Sequence, residues 1–445
     1  MSTEIVVLGG GYTGVWAARR IIRELRRKRG SADTARVTLV STGDCHAFHG
    51  WTAEVITGHV RLERTLTPLA GMLPGARIVT GAVHSVDLGH REVVVTEATG
   101  QRRLRYDQLV LAVGSQDATE RIPGLASHGF TTKGDGQLAR LLAQLDVVVD
   151  QALASRDPVE QARLLTAVVA GGGFAGVETA VAVRQRLRTR LDALPAHVRG
   201  QAPGLEPHVV LLHGGSQLLP SLRPQFSGVA DHATRRVQEA GIEVRCRTRL
   251  TGVTAAGALL DQGAAIGAGT VITTVGQRPV PLPGTESLLR DQTGRLTVDR
   301  FLRVQSPSGP VDGVWAGGDI AAVPHPRGGE PCPASALWAI YHGARIGGNV
   351  VRARRGHDPA PFRFPGLGQA ASFGVGDAAA ELGGVPLLGW SGWLARWTLF
   401  HYYMPSRVTA LRTAREWLRP PGRLRPLPER VRQSQPESAP TVAAA

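Results

Sequence analysis

Two glycine-rich turns constrain the fold of this chain more than any other feature. They read Gly9-x-Gly11-x-x-Gly14 and Gly171-x-Gly173-x-x-Gly176. Each turn follows a predicted apolar strand (5–8 and 166–170) and opens a predicted helix, and another strand follows at 37–40 and 209–212. In such a β-α-β unit the first glycine permits a tight turn, the second lets the backbone approach a pyrophosphate, and the third lets helix and strand pack closely. We therefore predict one dinucleotide in each unit.

The repeat of the unit after about 160 residues indicates two related domains rather than a solenoid. The predicted fold class is α/β, with two Rossmann-like dinucleotide-binding domains. The strand near 311–316 runs into Gly317-Gly318-Asp319 and returns the chain to the first domain, which is therefore discontinuous. We predict a first domain at 1–125 and 295–365, a second at 126–294, a C-terminal region at 366–419 with helices near 390–400 and 406–418, and a disordered tail at 420–445.

The charge and the cysteine content of the chain argue against several classes of protein function. The chain of 445 residues has a net charge of +15, but almost all of its basic residues are arginine, as expected from a GC-rich genome, so we do not infer nucleic-acid binding. Cys45, Cys246 and Cys332 are far apart in the sequence, which predicts neither a metal site nor a redox disulfide and favours a reducing cytosol. The stretch 164–183 is apolar, but its glycines favour a strand, turn and helix over a membrane span.

The residue that ends the second strand of each unit departs from the usual pattern. An acidic side chain is expected there, where it would hold the adenosine ribose hydroxyls. The first unit has Ser41 and the second has His213. Ser41 can still bond a ribose hydroxyl, whereas His213 removes the repulsion against a 2′-phosphate. The choice between NADH and NADPH is therefore open. A lost or weakened nicotinamide site in the second unit is an equally open alternative.

Together the motifs resemble the type II NADH dehydrogenases, single-chain FAD enzymes that oxidise NADH and reduce a membrane quinone. The resemblance covers residues 4–418. It rests on both turns and on segments that are listed here: His46-x-Phe48, Glu54-Val55-x-x-Gly58, Tyr106-Asp107 through Gly114-Ser115, 171–178, Ala316-Gly317-Gly318-Asp319, Pro333-Ala334-Ser335-Ala336 and Pro361-Phe362. It implies transfer of a hydride from NAD(P)H to FAD, and then of electrons to a quinone.

The resemblance assigns roles by position. The first turn would hold the FAD pyrophosphate, and the second turn would hold NAD(P)H. The remaining cofactor-binding candidates are Ser41, Ala112, Gly114, Ser115, His213, Gly276, Gly318, Asp319, Ser335 and Ala336. Asp319 would bond the ribitol, and the helix that begins near Ser335 would point its N-terminus at the flavin pyrimidine. Glu178 would lie near the nicotinamide and flavin rings as a positioning and proton-handling group.

The residues expected to line the quinone pocket differ from the family pattern. Two glutamines usually line the quinone pocket, and Leu337 and Tyr341 replace them here. Tyr341 or His342 would then contact the quinone. Two alternatives stay open: a soluble, specialised quinone-like acceptor, or a non-catalytic redox-sensing flavoprotein. Cys332 stands at a helix start that would lower the pKa of its thiol, but without a second cysteine nearby we expect it to be structural.

The C-terminal region combines aromatic and basic residues at helical spacing. Trp390, Trp393, Trp397 and Phe400 lie among arginines, which is typical of a helix in the plane of a membrane surface. In the family this end binds the membrane, so the expected location is cytoplasmic, peripheral on the inner face of the cell membrane. A homodimer interface or a buried cap on the first domain are the alternatives.

Overall fold

The computed structural model of the protein describes residues 3–27, 35–134, 136–201 and 204–417, so the predicted tail at 420–445 lies outside it. The strands are β1 Thr3–Leu8, β2 Ala35–Ser41, β3 Cys45–Ala47, β4 Leu66–Pro68, β5 Ala76–Thr80, β6 Ala82–Asp87, β7 Glu92–Glu97, β8 Gly100–Arg105, β9 Gln108–Leu111, β10 Ser115–Asp117, β11 Phe130–Thr131, β12 Thr166–Ala170, β13 His208–His213, β14 Ile242–Cys246, β15 Leu250–Thr254, β16 Gly257–Leu260, β17 Ala265–Gly267, β18 Thr270–Thr273, β19 Gln277–Pro279, β20 Leu296–Thr297, β21 Arg303–Ser306, β22 Gly309–Ala316, β23 Ala321–Ala322, β24 Gly368–Gly374, β25 Asp377–Leu382 and β26 Val385–Leu388. The helices are α1 Tyr12–Arg26, α2 Thr52–Ile56, α3 Leu69–Met72, α4 Leu125–His128, α5 Gln137–Ala154, α6 Pro158–Leu164, α7 Phe174–Asp192, α8 Ala196–Gln201, α9 Ser227–Glu239, α10 Ala336–Arg354, α11 Gly389–Tyr403 and α12 Arg407–Glu416.

The first sheet has six strands in the order β21-β22-β9-β1-β2-β5. Its centre is parallel, with β1 between β2 and β9. Central strands of this kind are covered on both faces, so they are apolar without alternation, and residues 5–8 are all buried. Because β22 joins β9 in register after almost 200 intervening residues, the first sheet is built from two separate parts of the chain, as predicted.

The second sheet has five parallel strands in the order β11-β18-β12-β13-β14. The predicted strands at 166–170 and 209–212 are β12 and β13, and the predicted helix after the second turn is α7. Helices α5, α7 and α9 pack with this sheet. The mixed α/β architecture with two dinucleotide-binding units is thus the one predicted, whereas the exact domain boundaries stay predictions.

A short antiparallel pair, β10 with β19, connects the two units, and Ser115 lies opposite Pro279. Strands β6, β7 and β8 form a separate three-stranded sheet. The third strand, Gly100–Arg105, is rich in arginine and was not predicted, because its apolar residues are too few to show an alternation.

The C-terminal region contains the two predicted helices and also three strands that the sequence did not predict. It begins with a three-stranded antiparallel sheet, β24-β25-β26, and only then forms α11 and α12. Ala378, Ala379 and Ala380 on β25 are fully buried, and α11 packs on this strand. A run of alanines carries no strand signal, so the sheet depends on its packing against α11 rather than on local propensity. Within the described ranges, we find no helix whose length and hydropathy would let it cross a bilayer.

Candidate functional site

The first glycine turn has the geometry that a bound pyrophosphate needs. Gly9 has φ +114°, and a Cβ added there would lie 2.2 Å from the carbonyl oxygen of Ala112. A Cβ on Gly14 would lie 1.9 Å from the carbonyl oxygen of Gly9, so helix α1 could not approach β1 as closely with any other residue. At Gly11, by contrast, an added Cβ meets nothing within 4 Å. The open space at the N-terminus of α1 suits an anion, because the amides there are unpaired and the helix dipole is positive.

The second turn repeats this geometry. Gly171 has φ +135°, and its added Cβ would lie 2.2 Å from Oγ1 of Thr274. A Cβ on Gly176 would lie 1.7 Å from the carbonyl oxygen of Gly171, and the space at Gly173 is open. The two turns therefore match position by position, and both fit the phosphates of a dinucleotide.

Ser41 and His213 occupy equivalent places beside the two turns. An added Cβ on Gly10 would lie 2.4 Å from Oγ of Ser41, and one on Gly172 would lie 2.5 Å from Cγ of His213. Each side chain thus lies directly against the middle of its turn, at the end of the second strand of its unit. This is the position at which a Rossmann unit recognises the adenosine ribose.

His46 supports the first turn from below, a role that the sequence did not assign. Its Nδ1 donates to the carbonyl oxygen of Gly10 at 3.0 Å, and its ring meets the edge of the Tyr12 ring at a centroid distance of 4.7 Å. Burial lowers the pKa of His46 to about 4, so the ring is neutral at neutral pH. A histidine in a strand as short as β3 carries no sequence signal for such support.

Asp319 and Ser115 meet at the crossing of the two units. The Ser115 hydroxyl donates to Oδ2 of Asp319 at 2.8 Å, which brings together two predicted site residues 204 positions apart. Two backbone hydrogen bonds fix this crossing, in which the chain after β9 passes the chain after β18. Val280 N–H donates to the Gly114 oxygen at 3.1 Å, and Ala118 N–H donates to the Gly276 oxygen at 2.6 Å. The structure thus places Ala112, Gly114, Ser115 and Gly276 around one crossing beside the Asp319 carboxylate.

His342 lies behind this crossing, which argues against its predicted contact with an acceptor. The side chain is 2% exposed, and its Nδ1 accepts from the Gly318 N–H at 3.2 Å. Burial lowers the pKa of His342 to about 3. The residue is therefore a neutral support for the 3-10 turn that carries Gly318 and Asp319.

Tyr341 faces the C-terminal region instead. Its ring stacks on Phe364 with a centroid distance of 3.7 Å and an interplanar angle of 4°. Its hydroxyl lies 3.0 Å from the hydroxyl of Tyr403 on α11. Leu337, one turn earlier on α10, is partly exposed. Of the two positions that usually carry glutamine, Tyr341 thus packs in an aromatic cluster against α11, and Leu337 stays partly exposed.

The predicted N-terminus of α10 is also observed. Ser335 is the N-cap and Ala336 the first helical residue, and the Ser335 side chain makes no capping bond. The first amides of this helix are therefore open to a ligand. Cys332, just before it, is buried, and burial raises the pKa of its thiol to about 12. The predicted lowering of this pKa is wrong, because desolvation outweighs the helix dipole, and the inert thiol agrees with a structural cysteine.

Glu178 belongs to a buried ionic cluster that the sequence did not predict. Arg396 on α11 contacts Oε1 of Glu178 at 2.9 Å and Oε1 of Glu54 on α2 at 2.7 Å. The Arg396 side chain is only 2% exposed, and its guanidinium lies 4.3 Å from the centroid of Phe400. Glu178 also accepts from the Ser372 N–H at 2.8 Å. One guanidinium therefore joins the second unit, the first unit and the C-terminal region.

The cluster has two carboxylates for one guanidinium. Burial raises the pKa of Glu178 above its usual value, although the charge of Arg396 opposes the shift. A cavity of about 20 Å³ adjoins both carboxylates and His59, and this volume holds one water molecule. Glu178 is 19% exposed, so this carboxyl can exchange a proton with solvent.

The C-terminal aromatic residues point mainly inward. Phe400 packs edge-on against Trp51, with a centroid distance of 5.3 Å, and Trp393 packs edge-on against Trp417 at 5.5 Å. Trp393, Trp397 and Phe400 are only partly exposed, whereas Trp390 is exposed, so attachment to a membrane surface stays a prediction. The exposed apolar side chains of α11 and α12 are Trp390, Leu394, Tyr402, Val408 and Leu411.

The chain belongs to the pyridine nucleotide-disulphide oxidoreductase family, whose model matches residues 3–343. Its three cysteines are free. Membership confirms the predicted cofactors, FAD and NAD(P)H, and makes the protein an oxidoreductase.

Within that family, the similarities point to the type II NADH dehydrogenases. An NADH dehydrogenase-like protein of Mycobacterium tuberculosis is 34% identical over 326 residues, 72% of this chain and 73% of that protein. A type II NADH:quinone oxidoreductase of the same organism is 27% identical over 430 residues, 93% of this chain and 87% of that protein. The solved structure of NDH2 from Plasmodium falciparum in complex with NADH superposes with a TM-score of 0.80 at 14% identity, covering 94% of this chain and 98% of that one, which shows a common fold. The protein is thus a divergent type II NADH dehydrogenase-like member of the family, as predicted.

Proposed function

We propose that this protein oxidises NADH or NADPH at the second turn and passes the electrons through FAD at the first turn to a quinone. The observation that carries the proposal is the matched geometry of the two turns, which are open at Gly11 and Gly173 and tied together by the β10–β19 pair. Two dinucleotides bound at these turns would approach each other across the crossing at Ser115 and Asp319.

On the FAD side, the amides at the start of α1 would bind the pyrophosphate, and Asp319 would accept a hydrogen bond from the ribitol. The Ser115 hydroxyl fixes the rotamer of Asp319, and His342 fixes the turn that carries it. Bound FAD would supply the redox chemistry, as the acceptor of a hydride from the nicotinamide. The unpaired amides of α10 at Ser335 and Ala336 would favour the negative charge that develops there.

On the nicotinamide side, Glu178 is the group we assign to proton handling. Its raised pKa, its partial exposure and the adjoining cavity support this assignment. Arg396 would hold the carboxyl in one orientation. Glu178 is therefore part of a polar cluster shared with the C-terminal region rather than an isolated side chain near the rings.

The quinone would bind where Tyr341, Phe364 and Tyr403 meet, because Tyr341 lies on α10 shortly after the open N-terminus of that helix. Exposed Val408 and Leu411 on α12, together with exposed Arg407, Arg412 and Arg415, support attachment to the inner face of the cell membrane. The missing glutamines and the Tyr341–Tyr403 contact equally support a soluble, quinone-like acceptor.

Anaerobic titration tests the function directly. The FAD-loaded protein is mixed with NADH and with NADPH, and the flavin absorbance near 450 nm should fall with at least one of them. Addition of menadione should then restore it. A flavin that stays oxidised with both nucleotides would instead support the alternative of a non-catalytic, redox-sensing flavoprotein.

The acceptor and the role of Glu178 need separate measurements. Reoxidation by a water-soluble quinone without detergent or lipid is compared with reoxidation by menaquinone in vesicles, and the faster acceptor identifies the physiological class. Glu178→Gln should slow one of the two half-reactions and change its pH profile. If both rates and both profiles match those of the wild type, Glu178 has no part in proton handling.

A further inference from the structure

The loop after β14 lies directly against the end of β13. Thr248 N–H donates to the His213 oxygen at 3.0 Å, and Arg247 N–H donates to the Gly215 oxygen at 2.8 Å. The side chain of Arg249 runs along Gly214, since an added Cβ on Gly214 would lie 2.9 Å from Nε of Arg249. The guanidinium of Arg249 is thus brought to the residue that follows His213.

The backbone of Arg249 is held in place, while its charge has no partner. Oδ1 of Asp261 accepts from the Arg249 backbone N–H at 3.0 Å. Within the described chain, the guanidinium groups of Arg247 and Arg249 make no ion pair or hydrogen bond. The carboxylate on β14, Glu243, is already paired with Arg245 at 2.6 Å and with His208 at 2.9 Å.

The place of these side chains relative to the second turn decides what they can bind. His213 lies against Gly172, and its Nε2 would be 2.6 Å from a Cβ on Gly215. The end of this strand is where a Rossmann unit recognises the adenosine ribose: a carboxylate there accepts from the 2′-hydroxyl, whereas a nearby arginine accommodates a 2′-phosphate. Here the carboxylate is replaced by an imidazole, and an unpaired arginine adjoins it.

We propose that His213 and Arg249 form a 2′-phosphate subsite, so that NADPH is the preferred electron donor. The inference rests on the proposed function, because it requires a nicotinamide dinucleotide at the second turn. Arg249 provides the positive charge that attracts the 2′-phosphate. His213 offers a ring nitrogen to the phosphate and, unlike a carboxylate at this position, does not repel it. Arg247, which is exposed beside them, contributes long-range attraction only.

Binding of dinucleotide fragments tests the subsite without any turnover. Calorimetry on the full-length, FAD-loaded protein compares 2′,5′-ADP with 5′-ADP. We expect 2′,5′-ADP to bind at least tenfold more tightly at low salt, since a charge-assisted bond to phosphate is a strong one, and less so at high salt. Equal affinities for the two fragments would overturn the proposal.

Single substitutions test which residues cause the preference for 2′,5′-ADP. Arg249→Gln should remove most of the preference for 2′,5′-ADP and leave the affinity for 5′-ADP unchanged. Arg188→Gln, which removes an exposed arginine from α7, is the matched control for the loss of one positive charge and should change neither affinity. His213→Asp should reverse the preference between NADPH and NADH in flavin reduction. An unchanged preference in Arg249→Gln would refute the role of Arg249.

The two proposals fail in different ways. A flavin that neither nucleotide reduces contradicts the proposed function. A flavin that NADH reduces with a higher kcat/KM than NADPH leaves the proposed function standing and refutes the 2′-phosphate subsite.

Discussion

Removing Arg396 should destabilise the protein strongly, because its guanidinium is the counter-charge for two carboxylates. The substitution Arg396→Met keeps most of the side-chain volume against Phe400 and Trp51 but removes the charge. Glu54 and Glu178 would then have to stay buried and charged or take up protons. Glu54 is only 6% exposed, so bulk water cannot replace the guanidinium there.

The loss of stability in Arg396→Met can be bounded by the free energy needed to protonate a buried glutamate. Neutralising a glutamate of ordinary pKa at pH 7 costs about 3.7 kcal/mol, because one pKa unit corresponds to about 1.4 kcal/mol. Breaking a buried ion pair by removing one partner typically costs about 3–5 kcal/mol. We therefore expect Arg396→Met to lower the free energy of unfolding by about 3–5 kcal/mol at pH 7. At pH 5 the cost of protonating one glutamate falls to about 1 kcal/mol, so the deficit of the variant should shrink.

Thermal unfolding of the FAD-loaded protein, followed by tryptophan fluorescence at pH 7 and pH 5, measures the effect. Arg412→Met, on the exposed face of α12, is the control and should leave the melting temperature nearly unchanged. Adding Glu54→Gln and Glu178→Gln to Arg396→Met should recover much of the loss, since a neutral cluster has no uncompensated charge. The reasoning is refuted if Arg396→Met melts like Arg412→Met, or if its deficit grows towards pH 5.

Two further predictions concern buried groups of the site. Burial lowers the pKa of His342 to about 3. Between pH 6.5 and about pH 3 the unfolded chain therefore binds a proton that the folded chain does not bind. The free energy of unfolding should fall as the pH drops through this window. His342→Asn, whose amide oxygen can accept from the Gly318 N–H, should reduce the slope of stability against pH by about 1.4 kcal/mol per unit between pH 6 and 4, and an unchanged slope in urea titrations would show that His342 is not the group responsible. Since burial raises the pKa of the Cys332 thiol to about 12, Cys332→Ala should retain the wild-type rate of flavin reduction, and the wild-type thiol at this position should resist iodoacetamide at pH 8. Rapid labelling of Cys332, detected by peptide mass spectrometry, would contradict this.

The sequence predicted the two units well because their signals are local. A glycine turn between an apolar strand and a helix is determined within about ten residues, and the turns at Gly9 and Gly171 have the expected geometry. The family resemblance placed Ser115 and Asp319 beside the same flavin, but it did not predict the hydrogen bond between them.

The C-terminal region was predicted less well because its structure depends on partners. Helix α11 is aromatic on several sides, so spacing alone does not show which side packs on β25 and which faces solvent. The burial of Arg396 was equally hidden, since an arginine among tryptophans is also typical of a membrane surface. Its two carboxylate partners lie in different units, far away in the sequence, and no local pattern connects them.

The distance along the chain between Glu54 and Arg396 has a consequence for biosynthesis. The two residues are 342 positions apart, and at roughly 5–20 residues per second a ribosome needs about 20–70 seconds to reach the second after the first. During that interval the carboxylate at residue 54 has no counter-ion, so the surface that α11 will cover must stay hydrated. The N-terminal unit therefore acquires its final packing only when the chain is almost complete. A product that stops short of residue 396 keeps two uncompensated acids beside exposed aromatic surface, which marks it for recognition by chaperones and proteases.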